Sequence, residues 1–233
     1  MPKVLDLGCR TGSAIAAWQA AGDIVVGVDW ENHGQQIIGD FTKEETWEII
    51  DNVTPMWERY AMPYDFIWFS PDCSIFSLAN MRWQRHFDEN YQPLTERAQQ
   101  EVEGIKFVIE KIEERKPILG WVMENPRALM RKMDFVKPLH RATVSYCQYG
   151  FNRRKATDLF GNLPLSFRPR FCRKGHSCHV RTPRYGFGSQ LGTQGMEKTE
   201  AGIIPFKLSE AIRTAAIRSA GNTYPTLEDF PCQ

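Results

Sequence analysis

Apolar residues in this chain gather in short runs separated by stretches where they recur at helical spacing. Residues 3–7 (KVLDL) read as a buried strand, followed by a glycine turn and a helix from about Ser13 to Ala21. Asp23–Asp29 (DIVVGVD) reads as a second strand with a polar end, and Gln36–Gly39 as a third. Thr42 is expected to cap a helix running through Trp47 and Ile50, with Glu44 and Glu45 where the helix dipole favours acids. Tyr64–Ser70 (YDFIWFS) gives a fourth strand, stopped by Pro71, and the aperiodic stretch 80–92 reads as a loop. From Thr95 to Arg115, Val102, Ile105, Val108, Ile109 and Ile112 recur at helical spacing. Lys116-Pro117 ends that helix, and Ile118–Met123 forms a fifth strand ending at Glu124. Strands alternating with helices predict an α/β fold with a doubly wound, mainly parallel sheet.

After 143–148 the periodicity fades, and 161–203 hold seven of the 17 glycines. This predicts a small irregular basic subdomain before a final helix from about Leu208 to Ala220. The expected organisation is an α/β domain over 1–145, the basic Cys/His-containing subdomain over 146–200, and a C-terminal segment and helix over 201–233 that return to the first domain. The net charge of +1 conceals the division. Between Arg127 and Tyr185 there are 14 Lys and Arg against two acids, giving +12; the rest carries 15 basic and 26 acidic residues, giving −11. Such a block suits a polyanion. The aromatics interleaved with it, including Tyr146, Tyr149, Phe151 and Phe171, are suited to stacking on bases. No apolar run approaches the ~20 residues of a membrane span, and Met1-Pro2-Lys3 leads straight into a strand. The expectation is a cytoplasmic protein with no membrane partner and six reduced cysteines.

The chemistry begins at Asp6-Leu7-Gly8-Cys9-Arg10-Thr11-Gly12, where glycines let backbone approach a ligand at a strand-to-helix turn. Asp29 ends the second strand, where a carboxylate can accept from ribose hydroxyls, and Asp40 ends the third, placed to accept from an adenine amine. A dinucleotide motif would need glycine where Arg10 stands, so the phosphate-free cofactor S-adenosylmethionine fits better. Cys73 follows the fourth strand and Pro71 in a polar turn; a thiolate is the usual nucleophile for an electron-poor ring carbon. Glu124 ends the next strand, where a carboxyl can pair with a ring nitrogen and exocyclic amine of cytosine. Arg153 is a candidate to steady the base or its phosphate.

In this order the segments resemble the cytosine-C5 DNA methyltransferase family, and more narrowly its short bacteriophage-type members. DLGCRTGS resembles the first cofactor motif, GVDWE and GDFT the second and third, SPDCSIFS the Pro-Cys nucleophile motif, and MENP the Glu-Asn-Val motif. Arg153 and Lys155 resemble the two basic positions of the Gln-x-Arg-x-Arg motif, and Gly202–Ile212 a final motif that returns to the cofactor. The resemblance implies a Rossmann-like class I S-adenosylmethionine-dependent fold. It implies a cofactor site of Asp6, Gly8, Arg10, Thr11, Gly12, Asp29, Trp30, Asp40, Phe41 and Pro71, with Cys73, Glu124 and Arg153 catalytic. It further implies C5 methylation of a flipped-out cytosine through a covalent cysteine adduct, with S-adenosylhomocysteine as product and, for a phage-encoded enzyme, the host cytoplasm as location.

The chain departs from the family pattern at Asp72, where a second proline is usual; a carboxylate there opposes thiolate formation unless something basic compensates. Only about 40 residues fill the space in which sequence-reading members carry a recognition domain, which predicts a short or relaxed target site. The alternatives are the same chemistry on RNA, or a catalytically silent fold that binds nucleic acid or regulates a partner. Finally, Cys172, Cys178 and His179, with Cys147 upstream, supply three sulfurs and an imidazole, a set that closes a tetrahedral zinc site.

Overall fold

The computed structural model describes residues 1–52, 64–76, 85–179 and 197–221. Ser77, positions 80–84 of the expected loop, 180–196 of the basic stretch (Tyr185 included) and 222–233 with Cys232 lie outside them. Seven strands form one sheet: β1 (Lys3–Leu7), β2 (Ile24–Asp29), β3 (Ile37–Ile38), β4 (Phe66–Phe69), β5 (Trp121–Pro126), β6 (His140–Ser145) and β7 (Ala156–Gly161). Their order is β3-β2-β1-β4-β5-β7-β6. β1 to β5 are mutually parallel, and β7 runs antiparallel to both its neighbours. This is the doubly wound Rossmann-like arrangement. The chain leaves β1 toward β2 on one side and returns at β4 on the other, so the strand order reverses between β1 and β4. A crevice opens at such a point, outside the carboxyl ends of the strands.

Helices cover both faces because nearly every strand residue is buried, and both faces must be shielded from water. One face (Leu5, Leu7, Ile67, Phe69, Met123) packs against α2 (Glu44–Asn52) and α3 (Glu96–Arg115). The other (Val4, Phe66, Trp68, Val122, Leu159) packs against α1 (Ala16–Ala20) and α5 (Phe206–Ala220). The short α4 (Lys198–Gly202) precedes α5. α3 begins with a Thr95 hydroxyl accepting from Ala98 N at 3.2 Å and ends at Lys116, which adopts φ 47° before Pro117. Its buried positions include Val102, Ile105, Val108, Ile109 and Ile112, as their spacing predicts. Among the described residues, no helix is long and apolar enough to cross a membrane.

Two features differ from the sequence reading. The stretch 146–200, expected to form a separate subdomain, contributes β7 to the sheet, between β5 and β6. Its inward Asp158 is 1% exposed, held by Nε and Nη2 of Arg131 and by the Thr143 hydroxyl. A charge at an interior strand position hides the strand from any apolar pattern. Thr42 does not cap α2, which starts at Glu44; its amide and hydroxyl both donate to Asp40 Oδ1, at 2.9 and 2.6 Å, closing a turn two residues upstream.

Candidate active site

The parallel register brings the ends of β1, β2, β4 and β5 to one edge: Leu7 pairs with Val28 and Phe69, and Phe69 with Met123. Gly8, Asp29, Ser70 and Glu124 therefore emerge side by side. Gly8 has φ +80°, and a Cβ there would lie 2.4 Å from the Ser70 carbonyl oxygen, so only glycine lets the loops after β1 and β4 touch. Arg10 takes φ 25° and donates its amide to Asp29 Oδ2 at 3.0 Å; Glu31 N donates to Oδ1 at 3.3 Å. Asp29 thus shapes the loop first, with lone pairs left over for a ligand. Ser13 accepts from Ile204 N at 3.0 Å, and Ser209 donates to Ala14 O at 2.6 Å, so the segment 202–212 does return to this turn. Trp30 stands 69% exposed beyond Asp29, and Phe41 packs edge-on against Phe69.

Asp6 is the anomaly of this crevice. It is fully buried, and neither carboxylate oxygen has a hydrogen-bond partner. Burial first, and then the Asp29 carboxylate, pushes its pKa up to about 8. The neighbouring Cys9 thiol is pushed up to about 12 by burial and by the same two acids, which makes it inert.

Cys73 lies in the turn after β4, partly exposed rather than sealed in hydrocarbon. Its thiol pKa is raised by burial and then by Glu124, lowered by Lys155, and raised again by Asp72. Glu124, Lys155 and Asp72 are thus the charges that bear on the sulfur. Glu124, 7% exposed, accepts the Tyr146 hydroxyl on Oε1 at 2.7 Å, and Lys155 Nζ lies 3.5 Å from the same oxygen. Lys155 also donates to Ala201 O at 3.0 Å and sits over the Tyr146 ring. Burial and Glu124 raise the Tyr146 hydroxyl well above its usual range, so it stays protonated and donates. Asp72 folds back on Ser74, accepting from its amide (2.9 Å) and hydroxyl (2.8 Å), and Arg97 at the start of α3 lies 3.6 Å away. Arg97 pairs with Asp72 at the surface, and Lys155 is the cation that lowers the Cys73 thiol.

Of the catalytic residues expected from the sequence, Cys73 follows β4 and Glu124 lies near the end of β5, on neighbouring strands at one edge of the sheet, and Lys155 is placed 3.5 Å from Glu124. Arg153, two residues earlier, is half-buried. Tyr146 was missed as a site residue because only the β6-to-β7 crossing brings it to Glu124. Arg97 was missed as well, since its helix reads simply as amphipathic. Beside this cluster, Cys147, Cys172 and Cys178 also converge, their sulfurs all within 4.8 Å of one another. Burial and hydrogen bonding to the other two thiols push Cys147 up to about 12.

No family model matches this chain, and no curated protein matches its sequence. Among solved structures, it is similar to methyltransferase EhMeth of Entamoeba histolytica (TM-score 0.49, 11% identity, 74% of this chain and 57% of that one). It is similar also to a protein described as a DNA modification methyltransferase encoded within an E. coli prophage (TM-score 0.47, 17% identity, 73% and 51%). A third is the Dnmt2 methyltransferase of S. pombe (TM-score 0.43, 15% identity, 76% and 53%). The chain spans little more than half the length of each. At these identities the likeness concerns the fold, and the activity has to be argued from the residues of this chain.

Proposed function

We propose that this protein is an S-adenosylmethionine-dependent methyltransferase acting on C5 of cytosine in DNA. The observation that carries the reading is the placement of a partly exposed cysteine within electrostatic reach of a buried Glu–Lys–Tyr cluster, next to the crevice between β1 and β4. Two features of the crevice fit the cofactor. The carboxylate of Asp6 is buried without a partner, which suits a cationic ligand, and Gly8 to Gly12 offer a backbone turn with no side chain above Gly12. Asp29, Asp40, Trp30, Phe41 and Pro71 complete the set that would hold it, with Arg10 and Thr11 at its rim. Bound there, S-adenosylmethionine supplies an electrophilic methyl group for C5 and leaves as S-adenosylhomocysteine.

The chain's own residues do the rest. The target cytosine leaves the duplex stack, since C5 and C6 are inaccessible within it. Cys73 releases its proton to solvent and its sulfur bonds to C6 as the C5–C6 π bond opens, leaving C5 nucleophilic. Glu124 supports N3 and the exocyclic amine as charge develops, held in place by the Tyr146 hydroxyl. Lys155 adds positive potential that stabilises the thiolate. Transfer of the C5 proton to water then restores the C5–C6 double bond and expels the sulfur as a thiolate. Lys155 and Ala201 tie this cluster to α4, so the C-terminal segment braces the site. The basic stretch offers the backbone-binding face: Arg127 and Arg154 both lie against the Phe171 ring.

Transfer of radiolabel from S-adenosylmethionine to DNA and RNA in parallel, with identification of the modified nucleoside, tests the reading. The expected product is 5-methylcytosine in DNA, made at short or relaxed sites in a random-sequence library. Label in RNA alone would replace the substrate, and label in neither would favour a silent nucleic-acid-binding fold.

A further inference from the structure

We propose that Cys147, Cys172, Cys178 and His179 form a tetrahedral zinc site that clips residues 170–179 onto the end of β6. The proposal is independent of methyl transfer. With zinc–sulfur bonds of ~2.3 Å and zinc–nitrogen bonds of ~2.0–2.1 Å, tetrahedral closure requires ligand atoms roughly 3.5–3.8 Å apart. Cys172 and Cys178 present their sulfurs at 3.8 Å, Cys172 Sγ lies 3.3 Å from His179 Nδ1, and the third sulfur falls within 4.8 Å of both others. Three sulfurs and an imidazole are a soft donor set, which selects zinc over calcium or magnesium.

The surroundings distinguish the two nearby histidines. His176 Nδ1 is engaged by Gln148 Nε2 at 2.8 Å, whereas His179 Nδ1 lies against the Cys172 sulfur, from which the ring would have to shift to reach a metal shared with all three sulfurs. The Gln148 amide also donates to Cys178 Sγ at 2.8 Å, the kind of outer hydrogen bond that orients and stabilises a ligating thiolate. The backbone prepares the site. Ser145 N donates to Arg170 O at 2.9 Å, Cys172 N to Ser145 Oγ at 3.1 Å, and Arg170 N to the Tyr149 hydroxyl at 3.0 Å. Beyond Cys172 the backbone bonds are local turns (His176 N to Arg173 O at 3.1 Å, His179 N to His176 O at 2.9 Å), and 173–177 are exposed and polar. A metal supplies the closure that packing does not.

The clip has a consequence for the neighbouring cluster. Cys147 follows Tyr146 directly, in the 3₁₀ turn 146–149, and Tyr146 holds Glu124. The metal would therefore fix that turn and the exposed Arg173 and Lys174 on one rigid frame.

The test uses the full chain, purified reduced in metal-free buffers after growth with zinc. Elemental analysis should find about one zinc per chain, released when an organomercurial titrates the thiols. Cobalt(II) added to the stripped protein should give strong visible bands and a thiolate-to-metal charge-transfer band. Cys178→Ser and His179→Ala should weaken cobalt binding by ~10-fold or more, while His176→Ala and Cys9→Ser should leave it unchanged. Zinc-free protein with free thiols and no cobalt bands would overturn the proposal, as would a Cys172–Cys178 disulfide. An unchanged spectrum in His179→Ala would overturn the ligand set. Should the variants fail to fold, the wild-type metal content and cobalt titration decide alone.

Discussion

Replacing Asp6 by asparagine removes the one fully buried carboxylate among the described residues that has no hydrogen-bond partner, and its burial sets the size of the effect. Its pKa stands at about 8 instead of 3.8. Each unit is worth ~1.4 kcal/mol, so ionised Asp6 costs the cofactor-free fold on the order of 6 kcal/mol. Between these two values the folded chain keeps a proton that the unfolded chain has released. The unfolded state then binds fewer protons, and stability falls as pH rises through the window. Asparagine carries no charge at any pH and has no such slope. Between pH 5 and pH 8 the stability of Asp6→Asn relative to wild type should therefore rise by ~3–4 kcal/mol. Urea unfolding of both proteins across that range, without cofactor, measures it. Parallel pH profiles would refute the reasoning and would mean that Asp6 is solvated or paired.

Four further substitutions probe the site. Gly8→Ala places a methyl against the Ser70 carbonyl at a positive φ, and should lower stability by ~2 kcal/mol or more in urea unfolding. Tyr146→Phe removes a hydrogen bond to a charged group worth ~1.5–3 kcal/mol; urea unfolding should show a loss of that order, and single-turnover methyl transfer at a temperature where the variant is folded should slow. Glu124→Gln deletes the strongest charge raising the Cys73 thiol, and Lys155→Met the cation lowering it. Alkylation of Cys73 at fixed pH, followed by peptide mass spectrometry, should accelerate in the first and slow in the second.

The sequence revealed what depends on local pattern, and missed what depends on distant pairs. β1, β4, β5 and α3 were legible because their apolar spacing is uninterrupted, and Gly8 and Pro71 because turns demand them. β7 was not, since Asp158 interrupts its apolar run and the compensating Arg131 lies 27 residues away. Nor does the run Arg153-Arg154-Lys155 show which cation turns inward; burial beside Glu124 decides in favour of Lys155. The concern over Asp72 could be stated from sequence, but Arg97, which meets it, comes from the start of α3, 25 positions later. Cys147 and Cys172 are likewise brought together by tertiary structure, through the hydrogen bonds between Ser145 and 170–172.

The most direct test of Cys73 as the nucleophile is covalent capture. Duplex DNA containing 5-fluorocytosine blocks the final loss from C5, so wild-type protein with S-adenosylmethionine should form a denaturant-stable adduct. Peptide mapping should place it at Cys73, and Cys73→Ala should form none. No adduct on DNA or on matched RNA, or an adduct through another cysteine, would contradict the account.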